Sequence, residues 1–132
     1  MARFFKKREE IKGLSPGSLV FVGNKKVENI RIRVIDYDGA QLKEDELKDI
    51  GAGTEFKRTN TVTWINVDGL HDLALMKDIG NTFDLHPLLM EDILNTGQRP
   101  KAEDYDDYIF IVFKMLFYDD VDTHITSEQV SL

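Results

Sequence analysis

The sequence predicts an α/β domain, a layered α/β/α arrangement around a mixed central sheet, and three observations carry that expectation. "ENIRIRVIDYDG" (28–39) alternates, with Ile30, Ile32 and Val34 on one side and Arg31, Arg33 and Ile35 on the other, as a half-exposed strand does. Two stretches between residues 71 and 95 repeat their apolar residues at helical rather than strand spacing. "YIFIVFKMLFY" (108–118) is apolar on both faces, which requires a sheet covered on both sides. Strands that bracket helices in this order favour layers of helix on sheet.

Taken in order, "GSLVFVG" (17–23) is a short apolar run between glycines and reads as a strand, with Gly23-Asn24 making a hairpin to the run at 28–39. "LKEDELKDIGAG" (42–53) reads as a short polar helix or turn stopped by Gly51. "NTVTWINVDG" (60–69) is rich in β-branched residues, holds the only Trp, and reads as a central strand. "HDLALMKDIGNTF" (71–83) places Leu73, Met76, Ile79 and Phe83 near helical spacing, with Asp68 or Asp72 available to cap it. A second helix follows in "HPLLMEDILN" (86–95), with His86 as its N-cap, Pro87 in its first turn and Gly97 and Pro100 beyond its end. Helices placed between strand 61–67 and strand 108–118 would form a crossover. "DDVD" (119–122) makes a turn, and "HITSEQVSL" (124–132) begins another strand, whose stop in mid-pattern suggests a fragment of a longer chain. The expected organisation is a basic N-terminal tail, 1–15, followed by one domain, 16–132.

The bulk numbers narrow the function. At 132 residues the chain can bury a core. It has no cysteine, so it has neither a disulfide framework nor a thiolate site. A net charge of −7 argues against nucleic acid as a partner. The charge is uneven: residues 1–12 hold Arg3, Lys6, Lys7, Arg8 and Lys12 against Glu9 and Glu10, so the acidity lies in the remainder. The tail reads as a solvated segment, with acidic lipid headgroups as an alternative contact. There is no secretory leader pattern and no run of the roughly 20 apolar residues that span a bilayer.

Chemical motifs are sparse. His71, His86 and His124 lack metal-ligand spacing, and there is no P-loop, G-x-G-x-x-G or G-x-S-x-G. "DYDGAQLKEDE" (36–46) lacks the alternating ligands of an EF-hand loop. "EDYDD" (103–107) and "DDVD" (119–122) are acid clusters at opposite ends of one long strand, roughly 30 Å or more apart at about 3.3 Å per residue, and read as solvated loops, with a loose attraction for hard divalent cations as the alternative.

The informative residues are Glu91 and Asp92. On a helical wheel Leu88, Leu89, Met90, Ile93 and Leu94 define the apolar sector, and Glu91 falls in the remaining gap, as a solvated acid should. Asp92 falls inside the sector, between Leu88 and Leu89, where a carboxylate requires a partner. Two partners are open: Arg99 or Lys101 just past the helix end, or a metal or neighbouring chain across a subunit interface. A hydrolase built on this pair is disfavoured, since adjacent helical residues diverge by about 100°.

"HPLLMEDILNTGQRPKAEDYDDYIFIVFKML" (86–116), preceded by "TWINVDGLHD" (63–72) and followed by "SEQVSL" (127–132), resembles the cytoplasmic domain of CorA-type magnesium transporters. The resemblance is good over about residues 60–132 and weak before. It implies a homopentamer with an N-terminal α/β domain on the cytoplasmic face of the membrane, then a stalk helix, two membrane helices and a Gly-Met-Asn pore signature. None of the last three is in this sequence. It further implies that Mg²⁺, with Co²⁺ or Ni²⁺ able to substitute, binds weakly as a regulatory ion between subunits, with Asp92 the principal ligand and Glu91 the secondary one. No catalytic residue, organic cofactor or small organic substrate is expected. The competing expectations are a zinc or other divalent-ion transporter of the same family and a stand-alone soluble metal-binding or interaction module.

Overall fold

The computed structural model describes residues 12–121 and 123–132, so residues 1–11 of the basic tail and Asp122 of the "DDVD" turn lie outside the described residues. The chain is mixed α/β. Strands β1 (Arg31–Tyr37) and β2 (Leu42–Leu47) lead through a 3-10 helix (Ile50–Arg58) to β3 (Val62–Asp68). Helices α1 (Leu73–Phe83) and α2 (Pro87–Leu94) precede β4 (Lys101–Asp104), β5 (Ile109–Asp119) and β6 (His124–Ser131).

The strands form two three-stranded antiparallel sheets, β2-β1-β3 and β4-β5-β6. A single mixed sheet was expected. Because β3 and β5 belong to different sheets, the helices between them join sheets instead of making a crossover within one.

In the first sheet β1 is central and β3 is at the edge, so the Trp-bearing strand is not the central one. Trp64 is exposed. The β2 segment, expected as a short polar helix or turn, pairs with β1 from Ile32–Leu47 to Tyr37–Leu42. Its helix formers are overridden because β1 offers a full hydrogen-bonding edge, and its run of charges suits an exposed edge strand. Ile32 and Val34 of β1 are buried, and Ile50 from the 3-10 helix is buried with them.

The principal core joins α1, α2 and the second sheet: Met76, Leu89, Met90, Leu94, Phe110 and Val112. Gly80 of α1 lets α2 come close, since a Cβ there would stand 3.3 Å from Met90 Cγ. Burial of β5 is confined to its first half. Phe110 and Val112 are enclosed, whereas Phe113, Met115, Leu116, Phe117 and Tyr118 are exposed, so the expectation of cover on both faces holds for only part of the strand.

The segment expected as a strand at 17–23 carries a single parallel bridge, Val22 to Asn95. It runs along α2 with Leu19 and Phe21 against the principal core. No hairpin forms at Gly23-Asn24. Gly23, at φ 153°, lies against Thr96. Thr96 N–H donates to the Val22 carbonyl at 3.0 Å.

Candidate functional site

Helix α2 is built as its sequence directs. His86 is extended and its Nδ1 accepts from Leu88 N–H at 3.2 Å, capping the first turn ahead of Pro87. The Tyr108 hydroxyl accepts from His86 N–H at 2.9 Å, and Tyr105 stacks on Tyr108 with ring centres 5.2 Å apart. Leu89, Met90 and Leu94 anchor the buried face, with Leu94 fully enclosed. Asp72 caps α1 in the same manner, accepting from Ala74 N–H and Leu75 N–H.

This rigid seat fixes the two acids differently. Asp92 Oδ2 holds the Lys101 ammonium at 2.5 Å, and Asp92 Oδ1 accepts from the side-chain amide of buried Gln98. The acid inside the apolar sector is therefore matched within its own chain, by one of the two cations that sequence reasoning put forward. Lys101 also pairs with Glu103 Oε2 at 2.8 Å, and Tyr105 Oη donates to the same oxygen at 3.3 Å. Lys101 and Glu103 share a face of β4, opposite buried Val112 and Phe110. The Lys101 ammonium lies 5.4 Å from the Phe110 ring centre.

Glu91, expected in solvent, is half-buried, and its Oε2 accepts from Gly17 N–H at 2.8 Å. Gly17 has φ 80°, and a Cβ there would meet Pro87 Cβ at 3.0 Å, so glycine is favoured on both conformational and steric grounds. Glu91 thus fastens the N-terminal segment to α2.

The electrostatics follow from the geometry. Burial opposes the charge on Lys101 most strongly, but hydrogen bonds to Asp92 and Glu103, with the charges of the two acids, together outweigh it and raise its pKa. The hydrogen bond from Lys101 leads in holding Glu103 below the usual carboxylate range. Burial, then the Glu103 charge, raises the Tyr105 phenol. A second half-buried lysine, Lys114, donates to the Thr96 carbonyl at 2.7 Å and to Gln129 Oε1 at 3.1 Å. With only neutral acceptors among those partners, burial lowers its pKa.

Two carboxylates converging on one cation are the makings of half an oxygen-lined cation site, but the cation is the ammonium of Lys101. Among the described residues no group of three or more His, Asp or Glu side chains stands ready to hold a metal. The described residues therefore do not by themselves complete a divalent site around Asp92. Sequence reasoning missed Gln98, and it placed Glu103 and Tyr105 in a solvated acidic loop. Their signal was the alternation of Lys101, Glu103 and Tyr105, hidden because 97–107 read as a helix end and a loop.

An α/β fold does not by itself assign a function; what the site offers is carboxylate oxygens arranged around a positive charge. Sequence comparison makes this specific: the family described as CorA-like Mg²⁺ transporter protein matches residues 59–132, more than half of the chain, and the chain belongs to that family. It is 42% identical over 121 residues to the cobalt/magnesium transport protein CorA of Thermotoga maritima, covering 92% of this chain and 34% of the relative. An alignment of that length reaches well into the first 59 residues, where the resemblance had looked weak. The chain thus spans about a third of its relative's length. Among the described residues no helix is long and apolar enough to cross a membrane.

Proposed function

We propose that this chain is the N-terminal, cytoplasmic, divalent-cation-sensing part of a CorA-type Mg²⁺ and Co²⁺ transporter. In this reading α2 supplies one side of a regulatory site between neighbouring subunits of a homopentamer, whose membrane helices lie in the remainder of the protein. Family membership supports the transport class, and one observation carries the location: Asp92, on a helix seated in the core, is held in a geometry organised around a positive charge.

Asp92 is the principal acid of the site. Its side chain retains 23% of its exposure and shares its cation with Glu103. Glu91 is secondary, with one oxygen committed to Gly17 N–H. Carboxylates facing one another across a subunit interface repel when their charge is not neutralised, so the ring's closed arrangement depends on the cytoplasmic Mg²⁺ concentration as a population shift. Mg²⁺ is the regulatory ion, with Co²⁺ or Ni²⁺ able to substitute. Mg²⁺ keeps several of its waters, so a site with few protein ligands and weak affinity suits a sensor working near cellular Mg²⁺ levels.

The test is limited proteolysis of the full-length transporter across a Mg²⁺ series. Asp92→Asn is expected to move Mg²⁺-dependent protection to higher concentration. An unchanged dependence removes Asp92 from the site.

A further inference from the structure

We infer that Lys101 is the built-in counter-ion of Asp92 and sets the Mg²⁺ concentration at which the sensor responds. The inference rests on the proposed sensing role of Asp92 and concerns a residue that role does not itself include.

The argument begins with position. Lys101 is the first residue of β4, and its ammonium lies 2.5 Å from Asp92 Oδ2 and 2.8 Å from Glu103 Oε2. It retains about a quarter of its side-chain exposure, 25%, and so is neither freely solvated nor sealed from ions. Its place is fixed from several sides. Backbone pairing sets Lys101 opposite Val112, and Tyr105 holds Glu103 from the far side. Gln98 occupies the other oxygen of Asp92. A cation is therefore present at Asp92 whatever the concentration of free ions, tethered there at high effective concentration.

The consequence is competition. An ion approaching Asp92 meets a carboxylate already neutralised in part by Lys101, and must either displace the ammonium or share the acid with it. Both routes weaken apparent affinity relative to a bare carboxylate pair. Lys101 also keeps Asp92 and Glu103 from repelling one another when divalent ions are scarce, which preserves the shape of α2 and β4 in the ion-free state. One residue would thus lower the affinity and maintain the empty site.

The experiment compares Asp92→Asn, Lys101→Gln and Lys101→Arg in the full-length transporter, reading the Mg²⁺ midpoint of protease protection with MgCl₂ as the only divalent salt. Lys101→Gln is expected to lower that midpoint roughly threefold to tenfold, since removing the tethered charge strengthens attraction for a free cation. Lys101→Arg, which keeps the charge and can bond both carboxylates, is expected to stay near the unmodified midpoint. A Lys101→Gln midpoint that is unchanged or higher, while Asp92→Asn raises it, overturns the counter-ion role and leaves the sensing role standing. An Asp92→Asn midpoint equal to the unmodified protein overturns the sensing role itself. Should Lys101→Gln fail to assemble, Lys101→Arg decides: a large shift in either direction with the charge retained counts against competition by charge.

Discussion

The two sheets carry the same kinds of ion pair in different surroundings. On the outer face of the first sheet Arg31 bonds Glu46 at 2.7 Å and Arg33 meets Asp68 at 2.9 Å, with both arginine side chains half-exposed. Beside the second sheet Asp92, Lys101 and Glu103 form a chain of contacts of similar length, but Asp92 and Lys101 retain only about a quarter of their exposure. Distance alone does not separate the two. The first sheet's pairs trade water for each other in a high dielectric, where the net gain is small. The second set lies against Phe110 and α2, where an unmatched partner would be left poorly solvated. The lesson is that the cluster attached to the core is the one on which folding can depend.

Four measurements bear on that comparison. The largest effect is expected from Leu94→Ala, which empties the fully enclosed position under α2. It should destabilise the protein by about 2–5 kcal/mol in urea unfolding and loosen the seat of Asp92 with it. Next is the contrast between Asp92→Ala and Glu46→Ala. The first should cost about 1–3 kcal/mol, since Gln98 and Lys101 lose an acceptor, whereas the second should leave the denaturation midpoint unchanged. Equal costs at the two positions would dissolve the distinction drawn between the sheets.

Gly17→Ala should cost about 1 kcal/mol, because it strains a positive φ and presses on Pro87. Hydrogen exchange at position 17 and at Thr96 should then accelerate more than exchange in β1. The smallest effect concerns pH. Glu103 has a folded pKa below its unfolded value, so its contribution to stability is present above the unfolded pKa and is lost as pH falls through the folded one. Carboxyl NMR of Lys101→Gln should place the Glu103 titration at higher pH than in the unmodified protein. No upward movement would mean that Lys101 is not what holds it down.

Much of the site could be read without coordinates. The caps at Asp72 and His86, the helix between them and Leu94, and the misfit of Asp92 within its apolar sector all follow from short-range spacing. The family resemblance over residues 60–132 agrees closely with the span that the family matches, 59–132. Glu91 was the instructive failure among the site residues. The wheel placed it in solvent because a wheel contains only one helix, and the segment that reaches it, at Gly17, is 74 residues away in sequence.

The sequence by itself determined the elements whose cause is local: helix starts, the alternation of β1, the apolar runs and the anomaly at Asp92. Tertiary structure alone decided which strands share a sheet, that β3 stands at an edge, that Leu42–Leu47 is extended, and that β4 exists at all. The physical reason is the same throughout. A helix satisfies its backbone within a few residues, and its pattern is visible in a short window. A strand satisfies its backbone on a neighbour, so its identity belongs to the pair. Asp92 obeys the same division: its need for a cation was written in one turn of helix, whereas the joint grip of Asp92 and Glu103 on Lys101 was decided when β4 folded against β5 beside α2.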